Sequence, residues 1–250
     1  MYNKLDELIS ERGFDVFYHF AWQGVYGEAF KDYEMQLNNV RYACDALMQS
    51  KKLEYKKFVF AGSMNEYEVK TYLNEDYYKP RYTCIYGACK LSAEMILKTL
   101  AFNNDIEYCG GLIAMAYGEN NYSKMLPNVV INQLNRGISP KLIEGNNLYD
   151  LIYIDDIAAA FEAIGRSGKN MKSYYVGHRN IVTFKELITL IRDIIDPDVE
   201  LQFGAFPVTT TFDYSLIDLD ALYNDTGFEC KADFKESILK TAEWVKTLDI

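Results

Sequence analysis

The 250 residues include only two histidines, five cysteines and five prolines, and 26 basic residues face 36 acidic ones. Each shortage excludes a class of function. Cys44, Cys84, Cys89, Cys109 and Cys230 are odd in number, and none forms a C-x-x-C pair. With His19 and His178 the only imidazoles, neither a zinc site nor a disulfide framework is expected, and reduced thiols are the default. A net charge of -10 repels a phosphate backbone, which excludes nucleic acid as a main partner. No apolar run reaches the ~20 residues of a membrane span, and nothing reads as a signal peptide. The expectation is a cytoplasmic chain without a membrane partner. Repeats, low-complexity tracts and flexible linkers are missing too.

What is present is ordinary globular material, 49% apolar and 25% charged. The length suits one large domain, or a main domain with a small satellite. Leu5 to Arg12 reads as a helix stopped at Gly13. The apolar run Asp15 to Ala21 has the character of a strand covered on both faces. After a loop at Trp22-Gln23-Gly24, a helix from Ala29 to Gln49 carries Leu37, Val40, Cys44 and Leu47 as its inward stripe. Lys56 to Ala61 is a second buried strand, ending at Gly62-Ser63. A polar, tyrosine-rich stretch broken by Pro80 runs to Thr83, followed by a helix to about Phe102 and a strand from Tyr108 to Ala116.

Further on, Pro127 to Gly137 reads as a helix, and Lys141 to Glu144, Leu151 to Ile154 and Ser173 to Val176 as short strands. Asp155-Asp156 stands at the N-cap position of a helix to Ile164. Thr183 and Glu186 form a capping box for a helix to Ile195. An extended segment (Val199 to Phe203), short helices around Ile217 to Thr226, and a last helix from Asp233 to Thr247 complete the chain.

Strands alternating with helices, and no hairpin signals, predict an α/β fold with a parallel sheet and right-handed crossovers. Ligands in such sheets bind outside the carboxyl ends of the strands. His19 to Trp22, Gly62-Ser63 and Tyr117-Gly118 should therefore meet at one cleft. Tyr86 and Lys90, four residues apart on a helix, project together from one face. An ammonium near a phenol favours the phenolate and lowers its pKa. A serine hydroxyl beside the pair completes a unit able to hold a carbonyl or alcohol oxygen and move its proton.

Seven stretches stand in a telling order: Asp15-Val-Phe-Tyr-His-Phe-Ala-Trp22; Asn38-Asn39-Val40; Phe58-Val-Phe-Ala-Gly-Ser63; Tyr86-x-x-x-Lys90; Tyr117-Gly118; Tyr153-Ile154-Asp155-Asp156; and the segment from Asp220 to Val245. Together they resemble the extended short-chain dehydrogenase/reductase family, the branch of nucleotide-sugar epimerases, dehydratases and 4-ketoreductases. The resemblance implies a Rossmann-like three-layer parallel sheet with a small α+β substrate domain. Residues 1–118 plus 148–180 would form the dinucleotide domain, and 119–147 plus 181–250 the substrate domain. Tyr86 would be the acid/base. Lys90 would lower its pKa and hold the nicotinamide ribose, and Ser63 would bind the reacting oxygen. NAD or NADP would lie along His19, Phe20, Ala21, Trp22, Asn39, Ala61, Gly62 and Ile113 as well as Tyr86 and Lys90. Met64, Asn65 and Tyr117 would face a nucleotide-sugar. A homodimer through a four-helix bundle, built from the Ala29–Gln49 helix and the Tyr86 helix, is also implied.

The departures sharpen these expectations. Relatives open with a strand, a G-x-x-G-x-x-G turn and a helix that cradle the pyrophosphate. Met1 stands just before what would be their fourth strand, so the resemblance implies an N-terminally truncated sheet, compromised dinucleotide binding and an exposed Asp15–Ala21 edge. Gly110-Gly111-Leu112 replaces a usual arginine, and an arginine common near Thr209 to Phe212 is missing. After Ser63 come Met64 and Asn65, where 4,6-dehydratases place an Asp-Glu pair, which disfavours water loss and leaves 4-epimerisation or 4-keto reduction. The alternative is a non-catalytic remnant or subunit that binds a nucleotide-sugar or a partner chain. Taken singly, His19 reads as a core histidine, Glu66 as a solvated loop residue, and Cys84 and Cys89 as packing. The tyrosines from Tyr72 to Tyr82 either stack on a ligand base or cover a loop.

Overall fold

Phe58, Val59, Phe60 and Ala61 are all buried, because successive side chains of one strand point into two different layers. The computed structural model describes residues 4–73, 80–81, 83–208 and 212–248. A short helix α1 (Leu5–Leu8) leads to β1 (Val16–His19). A 3-10 turn (Gly27–Lys31) and α2 (Tyr33–Lys52) return the chain to β2 (Lys57–Ser63). Helices α3 (Asn65–Tyr72) and α4 (Cys84–Asn103) cross to β3 (Glu107–Ile113), followed at once by β4 (Met115–Tyr117). Then come α5 (Leu126–Asn135), β5 (Lys141–Ile143), β6 (Leu148–Tyr149), β7 (Leu151–Tyr153) and α6 (Ile154–Ser167). The remainder is β8 (Lys172–Val176), β9 (Val182–Thr183), α7 (Phe184–Ile195), β10 (Gln202–Phe206), α8 (Ala221–Thr226) and α9 (Phe234–Val245).

The main sheet has four parallel strands in the order β1-β2-β3-β8. Phe58 and Phe60 face α2 and α4, where Ala43, Ala46, Leu47, Cys89, Ala93 and Leu97 pack against them. Val59 and Ala61 face the other way, onto Ile157, Ala160, Phe161 and Ile164 of α6. This is the three-layer α/β fold that the alternation predicts. Each fully buried phenylalanine contributes about 1.5–3 kcal/mol. A further apolar cluster joins the β4–β7 pair to α5, α7 and α9 through Tyr117, Leu151, Tyr153, Ile131, Ile188 and Ile238. The cleft lies between this cluster and the main sheet.

Several expectations need correction. The first helix stops at Leu8 rather than Arg12. Leu37 is 58% exposed; the inward face of α2 is made by Val40, Ala43, Ala46 and Leu47, because small alanines let α4 approach closely. The Tyr108–Ala116 strand is two strands, β3 leading toward β8 and β4 toward β7, with Ala114 between them. Gly111 has a steric reason: a Cβ there would lie 2.6 Å from the ring of Phe161. Asp155 and Asp156 belong to the first turn of α6, whose N-cap is Tyr153. Asp156 instead accepts the backbone N–H groups of Lys231 and Ala232. The capping box of Thr183 and Glu186 forms as expected. Tyr77, Tyr78, Tyr82 and Thr209 fall outside the described residues. Among the described residues, no helix is long and apolar enough to cross a membrane.

Candidate active site

Ser63 closes β2 and pairs in register with Ile113 at the end of β3. Both open onto a cleft of about 940 Å³ at the carboxyl ends of the strands. The volume lies in the range of small-molecule sites. Helix α4 brings Tyr86 and Lys90 to the same cleft from its first two turns. Close approach of α4 to α3 depends on Gly87, where a Cβ would stand 2.6 Å from the carbonyl oxygen of Asn65.

The Tyr86 phenol is buried and shares the cleft with Ser63. Phe30 meets its ring edge-on at 4.9 Å and Trp22 at 6.3 Å. Burial pushes its pKa up to about 12. The Ser63 hydroxyl reaches Asn65 Oδ1 at 3.2 Å, and the Asn65 N–H donates back to Ser63 Oγ at 3.3 Å. Lys90 is 4% exposed. Its Nζ donates to the Ala61 carbonyl at 2.6 Å and sits over the Trp22 ring at 4.0 Å and the Phe60 ring at 4.9 Å. Burial lowers its pKa to about 7. The expected lowering of the phenol by Lys90 is therefore reversed in this cleft. The ammonium is committed to Ala61 and the aromatic rings, and it is itself close to losing its proton.

The loop after β1 is stapled to α2. Asn39 accepts from the Gln23 N–H at 3.0 Å and donates to the Gln23 carbonyl at 2.8 Å. Gln36 accepts from the Trp22 indole at 2.7 Å and donates to Gly24 O at 2.8 Å.

Phe20, Trp22, Ala61, Gly62, Ser63, Met64, Asn65, Tyr86, Lys90, Ile113 and Tyr117 all line the cleft. Three expected cofactor residues do not. His19 points into the core between Phe58 and Phe60, with ring centroids 5.8 and 6.1 Å away, and burial lowers its pKa to about 4. Ala21 is exposed outside the cleft, since its neighbours Phe20 and Trp22 take the inward positions. Asn39 is spent on Gln23. Glu66 also departs from expectation: it is fully buried in α3 and accepts the Ser63 N–H at 2.9 Å.

Other lining residues escaped the sequence reading. Tyr26 and Phe30 come from the stapled loop. Glu119 accepts from the Tyr153 hydroxyl at 2.7 Å, and Asp155 and Lys240 stand on the same wall. The polar run from Glu119 to Ser123 just after Gly118 was a usable signal for this wall. Nothing in the sequence pointed to Lys240, which reaches the cleft from the last helix.

The family model that matches the chain is that of the NAD dependent epimerase/dehydratase family, over residues 2–177. A probable dTDP-glucose 4,6-dehydratase of Sinorhizobium fredii is 29% identical over 140 residues, 50% of this chain and 39% of that protein. A trifunctional UDP-glucose 4,6-dehydratase/UDP-4-keto-6-deoxy-D-glucose 3,5-epimerase/UDP-4-keto-L-rhamnose-reductase of Arabidopsis thaliana is 24% identical over 250 residues, 95% of this chain and 37% of that one. The chain thus spans about two fifths of the length of these relatives, 39% and 37%. Among solved structures, the UDP-glucose 4-epimerase of Thermotoga maritima with UDP-glucose superposes with a TM-score of 0.76 at 20% identity, covering 98% of this chain and 81% of that one. The UDP-glucuronic acid 4-epimerase of Bacillus cereus in complex with NAD gives 0.75 at 18% identity, over 98% and 77%.

Proposed function

The chain belongs to the NAD dependent epimerase/dehydratase family, and from that premise we propose that it works on a nucleotide-sugar, with Tyr86 exchanging a proton with a sugar carbonyl or hydroxyl oxygen. One observation carries the reading: Ser63, Tyr86 and Lys90 come from two elements yet line one cleft. The same reading takes NAD or NADP as cofactor. Lys90 suits the nicotinamide-ribose end, because it lines the cleft as a buried cation whose hydrogen-bond acceptor among the described residues is Ala61 O. Phe20, Trp22 and Ile113 offer apolar surface beside it. No residue is assigned to the pyrophosphate, since the 250 residues contain no G-x-x-G-x-x-G turn.

When bound, the dinucleotide supplies reversible removal of hydrogen from a carbinol carbon. The chain's own residues handle the proton. Tyr86, held up at about 12, is protonated at neutral pH and is ready to donate to a carbonyl oxygen. Ser63 holds that oxygen with a hydroxyl already directed by Asn65. Use of Tyr86 as a base requires more positive charge nearby, which the protonated form of Lys90 provides.

Epimerisation or keto reduction is favoured over water loss. Met64 and Asn65 line the cleft, and neither side chain can move a proton; the nearest glutamate, Glu66, is turned inward. A homodimer goes with this reading, because Leu37 on α2 and Met95, Ile96 and Phe102 on α4 leave apolar surface exposed. Calorimetric titration with NAD(H) and NADP(H), with UDP-, dTDP- and CDP-sugars alongside, tests the proposal. It expects one dinucleotide and one nucleotide-sugar to bind. Absence of binding by every member of both sets overturns it.

A further inference from the structure

Behind Ser63, on the side away from the cleft, two carboxyl groups meet in the interior. Glu66 comes from α3 and is 0% exposed; Glu94 comes from α4 and is 4% exposed. Helices α3 and α4 pack together, and the two carboxyls lie close enough for each to shift the other's proton affinity. Two carboxylates offer only acceptors, so contact between them in a buried place requires a proton. We propose that Glu66 and Glu94 hold one proton between them, and that Glu66 is a positioning residue which fixes Ser63 while leaving Lys90 without a carboxylate partner.

The surrounding donors decide where the proton resides. Glu94 Oε1 accepts from the Lys98 ammonium at 2.6 Å and from the Ser173 hydroxyl of β8. Glu66 Oε1 accepts only the neutral Ser63 N–H, at 2.9 Å. The Oε2 atom of each is buried and has no hydrogen-bond partner among the described residues. An ammonium and a hydroxyl stabilise charge on Glu94, while one amide does little for charge on Glu66. The proton therefore sits on Glu66 and is donated to Glu94. The titration shifts run the same way. Burial, then Glu94, pushes Glu66 well up; burial also pushes Glu94 up, but Glu66, Lys98 and Ser173 outweigh it and bring Glu94 down. The other titratable groups facing the pair are Tyr67 on α3, Tyr108 on β3 and Lys90 on α4. Burial raises both phenols, so neither supplies charge at neutral pH.

The consequence for catalysis rests on the proposed role of Ser63, Tyr86 and Lys90; the shared proton does not. A carboxyl that is neutral can hold the Ser63 amide, and with it the end of β2, without pairing to Lys90. Lys90 is then free to gain or lose its proton near neutrality, which suits a group that resupplies a tyrosine.

The test uses the full chain with 13C-labelled glutamate side chains and 15N-labelled lysine, followed by NMR across pH. At pH 7 one glutamate carboxyl carbon should resonate as a protonated acid, and Glu66→Gln should remove it. Lys90 should titrate at the same pH in the wild type, in Glu66→Gln and in the Glu66→Gln/Glu94→Gln double variant. Glu94→Gln alone removes the proton's acceptor and a like charge, and should lower the pH at which the Glu66 carboxyl ionises. Every glutamate ionised at pH 7, a protonated carboxyl signal that survives Glu66→Gln, or a Lys90 titration shifted by Glu66→Gln, overturns the proposal. If Glu66→Gln does not fold, the wild-type spectrum decides by the presence or absence of the protonated carboxyl. Failure of turnover would leave these spectra unchanged, so the two readings fail separately.

Discussion

The two walls of the cleft are built on different physics. The inner wall, from β2, α3 and α4, holds its ionisable groups in the dry interior: Tyr86, Lys90, Glu66 and Glu94 are all under a tenth exposed. The outer wall, from the turn after β4, the start of α6 and α9, keeps Glu119, Asp155 and Lys240 in contact with solvent. Burial moves proton affinities by several units. On the proposed function, chemistry belongs to the inner wall and choice of substrate to the outer one.

Substitutions should separate the walls, starting with the largest effect. Lys90→Met on the inner wall should lower kcat by about 10²–10⁴-fold, with nucleotide-sugar affinity nearly kept, as measured by steady-state kinetics and calorimetry. On the outer wall, Glu119→Gln or Lys240→Ala should change KM by no more than about tenfold, the worth of one hydrogen bond, and leave kcat close to wild type. A collapse of kcat in the outer variants would break the division.

Stability against pH offers a finer comparison. His19 and Lys90 have folded pKa values lowered by burial, to about 4 and about 7, so the unfolded chain binds more protons above each value. The contribution of His19 should therefore rise with pH from about 4 to 6.5, and that of Lys90 from about 7 to 10.5. Thermal melts of Lys90→Met should lose the upper rise. His178 is the opposite case and the smallest effect. The hydrogen bond to Asp150 at 2.8 Å raises its pKa against burial. Its contribution is complete below about 6.5 and fades as pH climbs through the raised value. His178→Gln should steepen the net rise of melting temperature with pH, and an unchanged slope would remove His178 from the account.

The inner wall was largely legible in the sequence, because spacing and strand order carry it. Tyr86 and Lys90 are four residues apart on one helix, and Ser63 stands at the end of an apolar run. Glu66 was not legible, since α3 has no apolar stripe to betray it. The buried face of that helix is Glu66, close to Glu94, and Glu68, paired with Arg81 at 2.7 Å. Periodicity cannot announce a helix that buries carboxylates. The outer wall was hidden for another reason: Glu119, Tyr153 and Lys240 meet only after distant segments pack together. His19 and Asn39 were misplaced because alternation along a strand or a helix decides which layer a side chain enters, and a motif match does not.

The central claim is that Tyr86 moves the proton in a reaction on a nucleotide-sugar. It is tested most directly by mixing the chain with NAD(P)(H) and a panel of UDP-, dTDP- and CDP-sugars, and following both the dinucleotide absorbance and the sugar products. The account predicts conversion of at least one sugar by the wild type and a loss of about 10²-fold or more in Tyr86→Phe, with sugar binding retained. Equal rates in the two proteins, or no conversion of any sugar by a wild type that binds both ligands, would contradict it.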